Sequence, residues 1–158
     1  MSKSVPITVS QLRDSLVIPF DYGHAKLKKL FSYFLHVAPS IDSASSRKLT
    51  SDEADIMWER FVEDWDARGL PYKIYKENSS YPSATALKKY YLGDDCHLSR
   101  KRSSFICFKK TNEGNLECLL RHLRNSIAHG HVYILKQSNR YFLLFEDYNG
   151  SGNKRGTM

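Results

Sequence analysis

The sequence predicts a mainly α-helical bundle that ends in a short β-hairpin. Four segments repeat apolar residues at helical spacing, and two strand-like segments follow the last of them. The chain has 158 residues, of which 41% are hydrophobic, which is enough to bury a core. We expect residues 1–148 to form a single helical domain that includes the hairpin. Residues 149–158 are polar and glycine-containing, so we expect a flexible tail there.

The first two predicted helices each stop before a proline, which cannot continue a helix. A weak helical pattern covers residues 9–18 and stops before Pro19. A stronger pattern covers residues 21–37 and stops before Pro39. Steps of three and four residues place a set of apolar side chains on one face of this second helix: Leu27, Leu30, Phe31, Phe34 and Ala38.

The third predicted helix, residues 52–68, carries most of the acidic charge. Thr50 and Glu53 have the spacing of a capping box, and Gly69 is placed to end the helix. Residues 51–68 contain seven acidic and two basic side chains, a net charge of −5, whereas the whole chain carries +7. The remaining residues therefore carry +12, which favours a polyanionic partner, although a solvated basic surface is an equally good interpretation of charge alone.

The fourth predicted helix, residues 116–128, has two distinct faces. One face is apolar and is formed by Leu116, Leu119, Leu120, Leu123 and Ile127. The other face is predicted to point away from the core and is formed by Cys118, His122, Asn125 and His129, with Arg121 beside them and Arg124 at the border. Gly130 is placed to end the helix.

Short extended segments follow and precede this helix. Residues 132–136 and 140–145 are rich in β-branched and aromatic side chains, which predicts the hairpin. Residues 84–92 are predicted to form a short helix, and residues 104–109 an extended stretch.

The end of the fourth helix contains the motif RxxxxH, formed by Arg124 and His129, within the string LLRHLRNSIAHGHV. Over residues 115–132 this string resembles small HEPN-domain proteins of toxin and phage-defence loci. The resemblance implies a helical bundle and a homodimer whose two motifs line one cleft. It also implies metal-independent RNA cleavage, although some members of the family are non-catalytic binding modules.

The residue types suit RNA cleavage. An imidazole can transfer protons near neutral pH, which fits His129, with His131 as an alternative base. A guanidinium matches phosphate oxygens, so Arg124 could stabilise the transition state, and Asn125 could hydrogen-bond the phosphate. A spacing of five residues separates Arg124 and His129 by about 140° on a helix, so a dimer, an unwound helix end or a long reach would bring them together. The alternative is that these cations only offset the helix dipole.

The predicted RNA contacts are basic side chains near this motif: Arg100, Lys101, Arg102, Arg121 and His122.

Cys118 and His122 have a spacing that can hold zinc, and Cys96 with His97 could complete a site, but we predict no metal and no cofactor. Three cysteines without a CxxC pair argue against a disulfide framework and fit a cytoplasmic protein.

The sequence therefore predicts a cytoplasmic endoribonuclease of a toxin or phage-defence system, which cleaves RNA by 2′-OH attack in a composite dimer cleft. The alternative is a non-catalytic HEPN-like module that binds RNA, a nucleotide or a protein. A more distant alternative is a basic nucleic-acid-binding protein of another fold. Expected partners are RNA, a second copy of the chain, and an antitoxin or another defence protein. No membrane segment is expected, because the longest apolar run covers only residues 141–145 and the N-terminus lacks a signal-peptide core.

Overall fold

The computed structural model describes residues 6–38, 49–99 and 102–158. In these residues the elements follow one another as α1 (Val9–Arg13), β1 (Leu16–Val17), α2 (Ala25–His36), α3 (Ser51–Ala67), β2 (Tyr72–Lys76), α4 (Ala84–Lys88), β3 (Phe105–Lys109), α5 (Asn115–Ala128), β4 (Val132–Gln137), β5 (Arg140–Tyr148) and β6 (Lys154–Thr157). The long helices α2, α3 and α5 correspond to three of the predicted helices. Their ends differ from the predicted ends by one residue or none, except that α2 begins four residues later than predicted.

The prediction of a mainly α-helical bundle is wrong, because the strands join into one six-stranded mixed sheet. Its order is β1-β4-β5-β6-β3-β2, with β2 and β3 parallel and the other pairs antiparallel. The predicted hairpin is present as β4 and β5, but it forms part of a larger sheet rather than an appendage. The fold therefore combines a sheet with packed helices instead of helices alone.

The prediction of a flexible tail over residues 149–158 is also wrong. Strand β6 lies between β5 and β3 and pairs with both. Gly156 and Thr157 are buried there, and a Cβ added at Gly156 would lie only 2.9 Å from Nδ1 of His122. The polar composition of this segment misled the prediction, because backbone ladders on two sides hold β6 in place.

The helix starts agree with the capping signals. Thr50 accepts a hydrogen bond from the Glu53 amide at 3.2 Å, and Glu53 accepts one from the Thr50 amide at 3.0 Å, so the predicted capping box of α3 is confirmed. Thr8 and Gln11 form a second capping box at α1. Across the described residues, no helix is long and apolar enough to cross a lipid bilayer.

Helix α5 is packed on more than one side. Ile127 and Leu123 belong to a core that contains Phe31 of α2, whereas Cys118 and Leu119 pack with Phe105 of β3. Cys118 and His122 are consequently buried with no exposed surface. The prediction that their face of the helix points away from the core is wrong for these two residues, because β3 and β6 cover it. The extended stretch of β3 was predicted without its place in the fold, and β6 was predicted to be a flexible tail.

Candidate functional site

His129 lies at the end of α5 and is exposed to solvent. Gly130 follows with a φ of +74°, a left-handed conformation that favours glycine. The amide of His131 then donates to the Ser126 carbonyl at 2.8 Å, which ends the helix and turns the chain directly into β4. His129 and His131 therefore lie on either side of Gly130 in the short turn between α5 and β4.

The two histidines belong to a row of rings. The ring centroids of His129 and His131 are 6.4 Å apart, and those of His131 and Tyr148 are 4.8 Å apart. Nδ1 of His131 is buried and has no hydrogen-bond partner in the described part of the chain. An imidazole with an unpaired buried nitrogen beside an exposed imidazole gives this end of α5 two groups that can carry protons.

Behind this row lies a buried carboxylate, Glu146 of β5. It accepts hydrogen bonds from Lys154 at 2.6 Å, from Tyr148 at 2.9 Å and from Arg13 at 3.0 Å. Burial alone would raise the pKa of Glu146, but the contacts with Lys154 and Arg13 outweigh it and hold the pKa below its ordinary value. The charged network supports Tyr148 and, through its ring contact, the position of His131.

Arg124 contacts the C-terminal end of α2. Its Nε donates to the Phe34 carbonyl at 3.1 Å and its Nη2 donates to the Ala38 carbonyl at 2.8 Å. These are carbonyls at the C-terminal end of α2, so the guanidinium caps one helix while it is anchored on another. These two contacts tie α5 to the end of α2.

Asn125 points towards a second buried carboxylate, Asp147 of β5. Its Nδ2 donates to Asp147 Oδ2 at 3.2 Å, and the same oxygen lies 2.6 Å from Nδ1 of His122. Burial alone would lower the pKa of His122, but the hydrogen bonds with Asp147 and Cys118 outweigh it and raise the pKa to about 9. Nε2 of His122 lies 3.0 Å from the Phe108 carbonyl and 3.2 Å from the Phe108 amide. The raised pKa favours the charged ring, in which Nε2 donates to the carbonyl, whereas a neutral ring would accept from the amide.

A thiol pair lies against this imidazolium. The sulfur atoms of Cys107 and Cys118 are 3.3 Å apart, and both cysteines are free and buried. Ligand atoms of these two thiols and His122 fall within 4.8 Å of one another, so these residues could hold a metal ion. Both ring nitrogens of His122 already face other partners, however, so a metal ion would have to displace the contact with Phe108 or Asp147.

The predicted RNA contacts have different surroundings. Arg102 is exposed, with its guanidinium 4.6 Å above the Tyr91 ring. Arg121 is half-buried and is paired with Glu113 at 2.6 Å, which compensates its charge. His122 is fully buried, so its prediction as an RNA contact is wrong. Arg100 and Lys101 lie outside the described residues.

Three residues around the candidate site were not predicted from the sequence: Glu146, Asp147 and Tyr148. They are the last three residues of β5 and follow a run of apolar side chains, and two acidic residues at the end of such a run were an available signal. Without the position of β6, nothing in the sequence indicated that both acids would be buried and paired.

In a comparison with family models, the family described as HEPN pEK499 p136 matches residues 14–158, nearly the whole chain. The comparison with curated proteins gives no match, and neither does the comparison with solved structures.

Proposed function

Because the chain belongs to the HEPN pEK499 p136 family, we propose that it is a metal-independent endoribonuclease of a toxin or phage-defence system, acting in the cytoplasm as a homodimer. The observation that carries this proposal is the exposed His129 at the end of the family motif, with a second imidazole, His131, at a centroid distance of 6.4 Å. The family resemblance and this pair of rings both indicate the end of α5 as the site of the reaction.

The proposed reaction uses the nucleophile that RNA itself contains. The 2′-oxygen attacks the adjacent phosphorus as a base takes its proton, and the 5′-oxygen leaves as an acid protonates it, so a 2′,3′-cyclic phosphate forms. His129 and His131 supply one base and one acid, because one imidazole can be neutral while its neighbour is protonated. Positive charge near the phosphate would come from the motif of a second protomer.

Within one protomer we assign Arg124 to positioning. Its hydrogen bonds to Phe34 and Ala38 fix the end of α2 against α5, and His129 lies at the end of that same helix. Asn125 is held by Asp147 and fixes the neighbouring turn of α5 against β5. A two-fold axis near the end of α5 would bring two copies of His129 into one cleft.

A non-catalytic module that binds RNA, a nucleotide or a protein such as an antitoxin is the second candidate. The observation that favours it is that both other motif residues are committed to internal hydrogen bonds: Arg124 to α2 and Asn125 to Asp147. Such a module would keep the internal hydrogen bonds of the motif residues but would not cleave RNA.

The test is cleavage of a labelled RNA by the wild-type chain, by His129→Ala and by His131→Ala. His36→Ala is the matched control, because His36 is an exposed histidine at the end of a different helix, α2. We expect the two site variants to lose about 10²–10⁴-fold in rate and the control to cleave normally. RNA binding without cleavage by the wild-type chain would favour the second candidate, and normal cleavage by His129→Ala would contradict the first.

A further inference from the structure

A cavity of about 640 Å³ lies where the sheet is interrupted, between β5 and the residues that lead into β3. Its two long sides are residues 140–145 of β5 and residues 102–105. Met158 closes one end. The cavity does not include His129, His131 or Tyr148, so it is separate from the candidate catalytic site.

The cavity continues the line of β6. Strands β5 and β3 flank β6 on its two sides, and β6 is antiparallel to both. At Met158 the amide and carbonyl still pair with Phe145, at 3.0 and 2.8 Å. Beyond this pair, no strand lies between β5 and residues 102–105 in the described ranges. Since neighbouring strands are about 4.8 Å apart, the gap has the width of one missing strand.

Backbone groups of β5 face this gap. Phe145 points its amide and carbonyl towards Met158, so residues two and four positions earlier, Leu143 and Tyr141, point theirs to the same side. The pairing with β4 agrees, because Ile134, opposite Leu143, donates its amide to Ser15 on the other side of β4. Within the residues that the structure describes, these groups of Leu143 and Tyr141 have no strand partner, as at an open sheet edge.

The walls of the gap are apolar on both faces of the sheet. Trp65 and Leu119 line it from the side of α3 and α5, whereas Leu12 and Leu98 line it from the side of α1. The indole Nε1 of Trp65 is buried and has no partner in the described part of the chain. Because successive side chains of a strand point to opposite faces, an occupant would be apolar on both faces, and it would offer a hydrogen-bond acceptor to the indole.

The open end of the gap, opposite Met158, is basic. Arg140 begins β5, Arg102 precedes β3, and exposed His97 lines the same cavity. A strand that continues the line of β6, antiparallel to β5, would place its C-terminal end beside the guanidinium groups of Arg140 and Arg102. The opposite direction would place an amino group there, which these two guanidinium groups would repel.

We propose that this gap binds an extended apolar peptide segment of a partner protein as an added strand, antiparallel to β5, with its C-terminal carboxylate at Arg140 and Arg102. Main-chain hydrogen bonds to Tyr141 and Leu143 hold the segment, and the apolar walls select its side chains. The gap spans about four residues at roughly 3.3 Å per residue. The proposal does not depend on ribonuclease activity.

The test uses a library of N-acetylated tetrapeptides built from valine, isoleucine, leucine, phenylalanine and threonine, with free C-termini. The best binder is then compared with its own C-terminal amide, which keeps every side chain but removes the charge. We expect the amide, and the Arg140→Glu and Arg102→Glu variants, to reduce affinity by about tenfold or more. Lys29→Glu is the control variant, because Lys29 is an exposed base on α2 outside the cavity.

Hydrogen exchange provides a second readout that needs no variant. In the free protein the amides of Tyr141 and Leu143 should exchange faster than that of Leu144, which faces β4. The bound peptide should slow exchange at Tyr141 and Leu143 and leave Leu144 unchanged. Absence of any binder, binding that survives both charge reversals, or binding without protection of these two amides would each overturn the proposal.

Discussion

Replacement of Asp147 by asparagine should lower the free energy of unfolding at pH 6 and leave it nearly unchanged at pH 10. Asp147 accepts the Nδ1 proton of His122 at 2.6 Å, and the two side chains are almost completely buried. The substitution keeps the volume and the polar character of the side chain, so it removes mainly the negative charge. The cost should therefore reflect the loss of a charged partner for the imidazolium rather than a cavity.

The pKa of His122 sets the magnitude and the pH range. Burial alone would lower this pKa, but Asp147 and then Cys118 raise it from 6.5 to about 9. That difference corresponds to about 3 kcal/mol of stability. Because the pKa is higher in the folded state, the contribution is fully present below pH 6.5 and is lost as the pH rises through about 9. At pH 6 the variant should melt roughly 6–12 °C below the wild type.

The contribution of the neighbouring Cys118 thiol to stability changes with pH in the opposite direction. The hydrogen bond between Cys118 and Cys107 lowers the pKa of Cys118 to about 6, so the contribution of Cys118 to stability is present above the ordinary thiol value and is lost as the pH falls through about 6. Since His122 is one cause of this lowered pKa, the pH profile of the variant reports both groups.

The assay is urea denaturation of the wild type and Asp147→Asn at intervals from pH 6 to pH 10. Asp55→Asn, which removes an exposed acid of α3, is the control and should show a small difference at every pH. A difference for Asp147→Asn that stays constant over this range, or grows with pH, would refute a charged His122.

Three further predictions concern the motif and its surroundings. Arg124→Ala should lower the free energy of unfolding by about 2–3 kcal/mol, because two charged hydrogen bonds to the end of α2 are lost, and a change below about 0.5 kcal/mol in urea denaturation would refute its positioning role. Gly156→Ala should cost about 1–3 kcal/mol, since the added Cβ would lie 2.9 Å from Nδ1 of His122. Gly150→Ala, where a Cβ would contact nothing within 4 Å, should be nearly neutral in the same thermal melts, and equal effects of the two changes would contradict the packing argument. RNA cleavage should continue in EDTA because the proposed chemistry uses the RNA's own hydroxyl, and loss of cleavage that a divalent ion restores would contradict that mechanism.

The long helices could be predicted from the sequence because each carries its own signals. Thr50 and Glu53 mark the start of α3, and Gly130 marks the end of α5, where local chemistry decides the structure. The sheet could not be predicted in the same way. Strand β2 is five residues long and β6 is four, too short for a clear period of two, and their pairing depends on residues far away in the chain.

The same distinction applies to the candidate site. The position of His129 at the exposed end of α5 could be predicted, because the motif and the glycine that ends the helix are adjacent in the sequence. His122 was misassigned, since its exposure depends on β3 and β6, whose positions the periodicity of α5 does not reveal. The partner of His122, Asp147, lies on a strand more than twenty residues further along the chain, so their contact becomes visible only in the folded structure.

The central claim is RNA cleavage by 2′-OH attack at the motif that ends in His129. The most direct measurement compares one labelled RNA with the same sequence carrying 2′-O-methyl groups throughout, each incubated with the wild-type chain and with His129→Ala. We expect only the unmodified RNA with the wild-type chain to be cut, leaving a 2′,3′-cyclic phosphate on the product. Cleavage of the methylated strand, or cutting by His129→Ala at the wild-type rate, would contradict the claim.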